Sequence, residues 1–211
     1  MRAAGEVRQR ACALHTFRGV ESRRPASPDL LHTDMKPIPD IRACETRDLA
    51  PICSIYGHHV LHGLATFEVE PPDAEELARR REQILALGLP YLVAEVQGRV
   101  IGYAYAAPYR ARPAYRYTLE DSIYLDRDYA GKGLGRTLLQ ALIVGCERAG
   151  YRQMIAVIGD SANLPSIKLH AACGFKHAGL LPATGFKFGR WVDSVLMQRA
   201  LGEGASSLPR Q

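Results

Sequence analysis

The residues with the clearest chemical potential are three glycines at alternate positions, Gly131, Gly133 and Gly135. Glycines leave backbone N–H groups uncovered, and a helix that begins at this point adds its positive end, which favours anions. The segment 118–125 before them has the composition of a strand, and leucines recur at helical spacing after it. The sequence therefore predicts a phosphate-binding loop. The expected contacts are Gly131, Lys132, Gly133, Leu134, Gly135 and Arg136.

Two common phosphate-binding loops do not match this segment. A dinucleotide fingerprint, G-x-G-x-x-G, counted from Gly131 requires a glycine at 136, where the chain has Arg136. The acidic residue expected about 20 residues later falls in an apolar run around Ile155 and Val157. A P-loop ends in Gly-Lys-Ser/Thr, whereas residues 131–133 read Gly-Lys-Gly. The sequence excludes both readings.

Two adjacent carboxylates in the segment 118–125 are candidates for acid–base chemistry. Alternation along a strand places Glu120 and Asp121 on opposite faces. Asp121 shares its face with Leu119, Ile123 and Leu125, which predicts a packed and structural position. Glu120 shares its face with polar and aromatic residues, so this face is expected to border a cleft. Glu120 is therefore the candidate general base.

Composition limits the class of protein. The chain has 211 residues, 47% of them hydrophobic, which is sufficient for one ordinary domain. No run approaches the roughly 18 apolar residues of a membrane span. The five cysteines are scattered without a C-x-x-C pair, which indicates free thiols in a reducing cytoplasm. We expect a cytoplasmic enzyme without a membrane segment.

Residues 1–34 differ from the remainder of the chain. They contain six arginines, four acidic residues and two prolines without a sustained period, which predicts a disordered Arg-rich extension. Binding to nucleic acid and a transit-peptide role have less support, because the segment lacks a basic block and an amphipathic stripe. Met35 is a hypothetical alternative start. The predicted domain covers 35–202, and residues 203–211 are predicted to form a flexible tail.

Periodicity and turn signals predict the order β-α-α-β-β-β-α-β-α-β-β. This order is compatible with several α/β folds. The predicted strands are 39–43, 91–96, 99–107, 118–125, 154–158, 175–181 and 191–199. The predicted helices begin near residues 46, 73, 134 and 164 and end near 63, 88, 149 and 173.

The glycine loop resembles the acetyl-CoA pyrophosphate loop of the GNAT acetyltransferase superfamily, Q/R-x-x-G-x-G/A. Gly133 and Gly135 occupy its two small-residue positions. Ala130 stands where that pattern has Arg or Gln, which removes one side-chain contact to phosphate and leaves the backbone amides. Positive charge near the loop is available from Arg127, Lys132 and Arg136.

A second resemblance lies downstream. Residues 163–175 are similar to the GNAT signature in which Asn163 and Ser166 open a helix that Gly174 and Phe175 close. The segments 155–159 and 185–193 resemble the phosphinothricin N-acetyltransferase branch, whose members acetylate the α-amine of glutamate- or methionine-like amino acids. The similarity covers about residues 38–201.

The resemblance implies an α/β fold with a central mixed β-sheet flanked by helices on both faces, and acetyl-CoA as co-substrate without a metal. It also implies direct acetyl transfer to a small amino acid in a ternary complex, and a homodimer. Glu120 falls at the position of the base. His170 falls where many members have a tyrosine acid. Expected cofactor contacts include Leu125, Asn163 and Ser166, and expected substrate contacts are Phe67, Arg112 and Tyr115.

Two other functions stay open from the sequence. A related enzyme could acetylate a peptide N-terminus, whereas a polyamine would fit the Arg-rich loop 109–117 badly because both are cationic. A non-catalytic acyl-CoA sensor would not need Glu120 on a polar strand face. That loop is too short to form a track for single-stranded nucleic acid.

Overall fold

The computed structural model describes residues 39–209. Within this range the chain forms one mixed sheet and four α-helices. The strands are β1 (Asp40–Ala43), β2 (Tyr91–Val96), β3 (Arg99–Pro108), β4 (Thr118–Leu125), β5 (Gln153–Gly159), β6 (Lys176–Lys187) and β7 (Arg190–Ala200). The helices are α1 (Leu49–His62), α2 (Ala74–Ala86), α3 (Leu134–Arg148) and α4 (Leu164–Ala172). The predictions for residues 1–34 lie outside the described residues.

The predicted order of helices and strands is confirmed, and most bounds agree within two residues. The exception is the strand predicted at 175–181, which extends to Lys187. Its register shifts between His177 and Gly179 and again between Leu181 and Gly185. These irregularities, together with the exposure of most of the strand, remove the alternation from which a strand is predicted.

Strand pairing creates a gap at the centre of the sheet. The order is β1-β2-β3-β4-β5-β7-β6, and β4–β5 is the parallel pair. The register of this pair runs from Thr118 opposite Gln153 to Asp121 opposite Ala156. The second half of β4 continues beyond this register, as does the end of β5. Backbone groups at the parting of the two strands are therefore available to a ligand.

Helices cover both faces of the sheet, as predicted. Tyr124 packs edge-on against Tyr56 of α1, with ring centroids 4.9 Å apart. The neighbouring Leu125 points the other way, and its Cδ1 would lie 3.2 Å from a Cβ at Gly135 in α3. Because successive side chains on a strand alternate, α1 and α3 lie on opposite faces.

Local signals in the sequence explain where the helices begin. The Asp73 side chain accepts a hydrogen bond from the Glu76 backbone N–H at 2.8 Å, which caps α2. The buried residues of α3 recur at helical spacing and form a large part of the core. These residues are Leu134, Leu138, Leu139, Leu142, Ile143 and Cys146.

The end of the described chain contacts the domain. The Arg152 guanidinium donates hydrogen bonds to the Glu203 carboxylate, the Ser207 hydroxyl and the Leu208 carbonyl. The side chain of Arg152 is largely buried beneath these groups. Residues 203–208, which belong to the predicted tail, are thus held by one arginine. Among residues 39–209, no helix combines the length and apolar character required to cross a bilayer.

Candidate active site

Two connected spaces occupy the gap between β4 and β5. The inner cavity has a volume of about 250 Å³ and is lined by residues that include Thr66, Phe67, Glu120, Ser122 and Ser194. The outer cleft has a volume of about 880 Å³ and is lined by the glycine loop, the end of α1 and the start of α4. Both are lined by Ala65, Ile123, Tyr124, Gly159, Asn163 and Ser166. The shared lining identifies the junction at which the two spaces meet.

The glycine loop forms one wall of the outer cleft. Gly131, Gly133, Gly135 and Arg136 line it. Gly133 directly precedes α3 and has φ +84°, a left-handed conformation that favours glycine. The first N–H groups of a helix lack partners within that helix, so this wall suits an anion.

Two residues predicted to contact phosphate, Lys132 and Leu134, are not among those that line the outer cleft. Leu134 is buried in the core. The Lys132 ammonium lies 4.8 Å from the centroid of the Tyr129 ring. Leu134 therefore anchors the start of α3, while Lys132 contributes positive charge beside the loop rather than a cleft-lining group.

Asn163 and Ser166 lie at the junction because they begin α4. The Asn163 side chain accepts a hydrogen bond from the Ser166 backbone N–H at 3.3 Å. The Asn163 amide nitrogen donates to the Gly159 carbonyl at 3.4 Å, which ties the start of α4 to the end of β5. The structure therefore brings the glycine loop and the second sequence signature to one cleft.

Leu125 ends β4 beside the outer cleft, and its backbone carbonyl is 2.8 Å from His59 Nε2. The carbonyl can only accept, so Nε2 of His59 carries a proton. Burial lowers the pKa of His59, which favours the neutral ring. This contact, between α1 and the open end of β4, is not apparent in the sequence.

Glu120 lies in the inner cavity, as its polar strand face predicts. It is half-buried, and burial raises its pKa, with the neighbouring Asp121 carboxylate adding to the effect. A carboxylate with a raised pKa is a better proton acceptor than a fully solvated one. Its position and environment suit a general base.

His170 is almost fully buried and bonded through both ring nitrogens. Its Nε2 lies 3.0 Å from Asp121 Oδ2, and its Nδ1 lies 2.8 Å from the Ser166 carbonyl oxygen. Burial alone would lower the pKa of His170, but the bonds to Asp121 and Ser166 outweigh burial and the pKa is raised. His170 is among the residues that line the inner cavity, but both of its ring nitrogens face protein oxygens, which constrains the predicted acid role.

The Phe67 ring packs against two glycines, whose lack of a side chain leaves room for it. A Cβ at Gly185 would lie 2.5 Å from the Phe67 ring, and one at Gly159 would lie 3.3 Å from it. The segment before Phe67 is held by the buried Lys187, whose Nζ donates to the carbonyls of Gly63 and Thr66 at 2.9 and 2.8 Å. Lys187 was not predicted as a site residue, and the sequence gives no signal for it, because the structure exposes the neighbouring Phe186 and buries the lysine.

Arg112 and Tyr115 lie on the loop between β3 and β4, and neither lines the inner cavity. Arg112 is exposed, and Tyr115 packs edge-on against Tyr109 with centroids 5.7 Å apart. The loop precedes the strand that carries Glu120. The structure thus places these two predicted substrate contacts outside the lining of both the inner cavity and the outer cleft.

Metal chemistry has no candidate ligands in the part of the chain that the structure describes. Within residues 39–209, no group of three or more His, Cys, Asp or Glu side chains is arranged to hold a metal ion. The groups that line or adjoin the gap are an anion-binding wall, the Glu120 carboxylate and the buried His170–Asp121 pair.

The fold and the cleft are those of an acyltransferase: a mixed sheet that parts between two parallel strands, with a glycine loop beside the opening. Residues 58–175 match the model of the Acetyltransferase (GNAT) family. The chain belongs to this family, so the resemblance in its motifs and fold class is confirmed.

Three relatives of this chain are named as acetyltransferases of phosphinothricin or of methionine sulfoximine and methionine sulfone. The chain is 55% identical over 169 residues to a phosphinothricin N-acetyltransferase of Alcaligenes faecalis, covering 80% of this chain and 86% of the relative. It is 41% identical to an L-methionine sulfoximine/L-methionine sulfone acetyltransferase of Salmonella typhimurium, covering 79% and 96%. A phosphinothricin acetyltransferase of Sinorhizobium meliloti, solved with acetyl-CoA, superposes with a TM-score of 0.80 at 49% identity, covering 82% of this chain and 94% of that one.

Proposed function

We propose that this chain transfers the acetyl group of acetyl-CoA to the α-amine of a small amino acid. The observation that carries this proposal is the junction of the two spaces. A phosphate-binding wall lines the outer cleft, and Glu120 lies in the inner cavity beyond the junction. This arrangement supports a thioester at the junction and an amine beside Glu120.

The outer cleft fits the cofactor. Backbone N–H groups at the start of α3 would hold the pyrophosphate of acetyl-CoA, with Arg136 contributing positive charge. The open end of β4 and the start of α4 border the remainder of the cleft, where the pantetheine arm would lie. Leu125, Asn163 and Ser166 are the residues that we assign to this arm.

Glu120 would act as general base. A free amino acid carries an ammonium group near neutral pH, and the amine must lose a proton before it can attack a thioester. A carboxylate that is half-buried and has a raised pKa can accept this proton directly or through one water. The resulting amine then attacks the carbonyl carbon.

Direct attack in a ternary complex is favoured over a covalent acyl-enzyme. The free cysteines of the described chain are Cys44, Cys53, Cys146 and Cys173. None of them lines either space at the junction. Burial raises the pKa of all four thiols, which leaves them protonated and poorly nucleophilic. A reducing cytoplasm, where free thiols persist, is the compartment that we propose.

We infer the substrate class from the relatives and from the residue types of the loop between β3 and β4. Phosphinothricin, methionine sulfone and methionine sulfoximine combine an amino-acid head with a polar tetrahedral phosphorus or sulfur centre. Arg112 can bind a carboxylate or phosphinate through two parallel hydrogen bonds. Phe67 and Tyr115 would supply apolar walls. The volume of the inner cavity, about 250 Å³, favours a small acceptor.

A homodimer is part of the proposal. Phe186, Phe188 and Trp191 are 59%, 57% and 67% exposed at one edge of the sheet. Exposed aromatic clusters of this kind commonly mark interfaces, and we assign this patch to a second copy of the chain. Trp191→Glu should convert the dimer to a monomer in size-exclusion chromatography with light scattering, whereas Leu208→Glu, at another exposed apolar position, should not.

Initial rates measured while both substrates are varied test the reaction. Acetyl-CoA with each of the three amino acids should release CoA and yield the N-acetyl amino acid by mass spectrometry. Double-reciprocal plots should intersect, as a ternary complex requires. Parallel lines would contradict direct attack. Thermal stabilisation by acetyl-CoA without turnover of any amine would favour an acyl-CoA sensor, and turnover of peptide N-termini alone would favour the related peptide-modifying function.

A further inference from the structure

Ser194 contributes a buried hydroxyl to the wall of the inner cavity. The residue lies on β7, is 3% exposed and lines that cavity together with Glu120 and Phe67. The other buried residues of β7 are apolar: Val192, Val195 and Met197. Within residues 39–209, no hydrogen bond joins the Ser194 hydroxyl to another protein group. A buried hydroxyl without a protein partner is uncommon, so this one is available to a molecule bound in the cavity.

The register of the sheet places Ser194 and Glu120 on the same face. Glu120 lies opposite Ile155 of β5, and Gly159, four residues further along β5, lies opposite Ser194. Paired residues point to the same side of a sheet, and side chains alternate along each strand, so both side chains share one face. The Phe67 ring packs on Gly159 on this face. Four residues of extended strand span about 13 Å, which leaves room for a small amino acid between the two side chains.

The hydroxyl of Ser194 suits one feature of the proposed acceptors. Phosphinate, sulfone and sulfoximine groups carry oxygen atoms that accept hydrogen bonds, whereas the thioether sulfur of methionine accepts only weakly. The other serine and threonine side chains that line the cavity each contact a second side chain: Thr66 with Tyr56, Ser122 with Tyr105 and Ser166 with His170. Ser194 therefore provides the hydroxyl donor that has no protein partner in the described chain.

We propose that the Ser194 hydroxyl donates a hydrogen bond to the phosphinate or sulfone oxygen of the acceptor, and that this bond makes the enzyme prefer such acceptors to methionine. The inference rests on the proposed acetyl transfer. With the α-amine beside Glu120, the acceptor side chain extends along β5 toward Gly159 and Ser194. Ser194 does not touch the reacting atoms, so it determines specificity and is not a catalytic residue. Arg112 then remains for the acceptor carboxylate.

Methionine sulfone and methionine test this contact, because they have the same carbon chain and differ in the two oxygens on sulfur. Ser194→Ala should lower kcat/KM for the sulfone about tenfold and change kcat/KM for methionine less than twofold. Ser194→Thr retains the hydroxyl and should keep the wild-type preference. Ser161→Ala is the matched control, because the Ser161 hydroxyl is bonded to Asp193 and lines neither space.

The stability of Ser194→Ala provides a readout that does not depend on activity. Because the Ser194 hydroxyl lacks a protein partner in the described chain, its removal leaves no protein group unpaired. The free energy of unfolding should therefore be unchanged or slightly higher in the variant, as measured by urea unfolding without ligands. A variant that is clearly less stable than wild type would show that the hydroxyl has a structural partner, and would overturn the inference.

Calorimetry separates this inference from the proposed function. Methionine sulfone titrated into the complex of the enzyme with CoA should bind about tenfold more weakly to Ser194→Ala than to wild type, and methionine should bind equally to both. A wild type that binds the sulfone through Ser194 but acetylates no amino acid would overturn the proposed function and support the contact. An active wild type whose preference for the sulfone over methionine survives in Ser194→Ala would overturn the inference alone.

Discussion

Phe67, which lines the inner cavity, is in direct contact with Gly185, 118 residues away in the chain: a Cβ on Gly185 would lie 2.5 Å from the Phe67 ring. The wall of the cavity thus depends on a missing side chain on β6. The same ring also lies close to Gly159 at the end of β5. Phe67 is therefore positioned by two strands, β5 and β6, through contacts that are distant in the sequence.

Gly185→Ala should therefore displace Phe67 and disturb acceptor binding. We expect the KM for the amino acid to rise about tenfold, equivalent to about 1.4 kcal/mol, while the KM for acetyl-CoA stays unchanged. Gly179→Ala is the matched control, because it lies on the same strand and a Cβ there meets nothing within 4 Å. An equal effect of both variants on the amino-acid KM would contradict the assigned wall.

Glu120→Gln should lower kcat by about 10² to 10³-fold and leave acetyl-CoA affinity unchanged. In the wild type, kcat/KM should rise with pH through a pKa above that of an ordinary glutamate, since the base must be ionised and burial raises its pKa. This rise should disappear in the variant. Glu82→Gln, an exposed glutamate on α2, serves as the control. A pH profile unchanged in Glu120→Gln would exclude Glu120 as the base.

Glu120→Gln, which lowers activity, should raise the stability of the folded protein at alkaline pH. The folded-state pKa of Glu120 lies above its unfolded value, so its contribution to stability is present below the unfolded pKa and is lost as pH rises through the folded one. Glu120→Gln should therefore be more stable than wild type at pH 8 and equally stable near pH 4. Urea unfolding at the two pH values measures the difference.

The strand motifs show how much of the fold the sequence predicts. Alternation in 118–125 predicted a buried Asp121 and a Glu120 that borders a cleft; the structure buries Asp121, and both carboxylates are among the residues that line the inner cavity. The start of α2 was predicted correctly because a capping residue such as Asp73 is a local signal in the sequence. The strand β6 was predicted only as far as residue 181, because its register shifts interrupt the two-residue alternation of side chains.

The contacts of the site were less predictable. The Asp121–His170 pair joins residues 49 positions apart, and the Lys187 contacts span more than 120. No local pattern encodes such distances, because they depend on how the strands order in the sheet. The glycine loop predicted the cleft but not the direction of each side chain: that of Leu134 is buried in the core, and that of Lys132 lies over the Tyr129 ring.

The stability of the protein should depend on the protonation of His170. A histidine that is buried in its neutral form destabilises the fold as pH falls, whereas His170 should lose its stabilising contribution as pH rises. Its folded-state pKa is raised, so its contribution is complete below about pH 6.5 and is lost as pH rises through the folded value. The stability gap between wild type and His170→Gln should therefore narrow from pH 6 to alkaline pH. His177→Gln, at an exposed site on β6, is the matched control. A His170→Gln gap that widens with pH would contradict the charged pair.

Ala130→Arg tests what holds the pyrophosphate. If backbone amides at the start of α3 dominate, adding the family's missing side chain should tighten acetyl-CoA by less than about threefold, as expected for an exposed ion pair. Calorimetry gives the affinity directly, and Ala130→Gln provides an uncharged comparison. A gain of a hundredfold would show that side-chain contacts, rather than the amides, limit binding in this loop.

Amino-acid α-amine acetylation is tested most directly by comparing kcat/KM for CoA release across acceptors at a fixed acetyl-CoA concentration. The comparison sets phosphinothricin, methionine sulfone and methionine sulfoximine against spermidine and an alanine-initiated peptide. We predict that the three amino acids exceed the polyamine and the peptide by at least about 10²-fold, and that N-acetyl amino acid is the product. No turnover of any amino acid, or a preference for the peptide or spermidine, would contradict the proposed function.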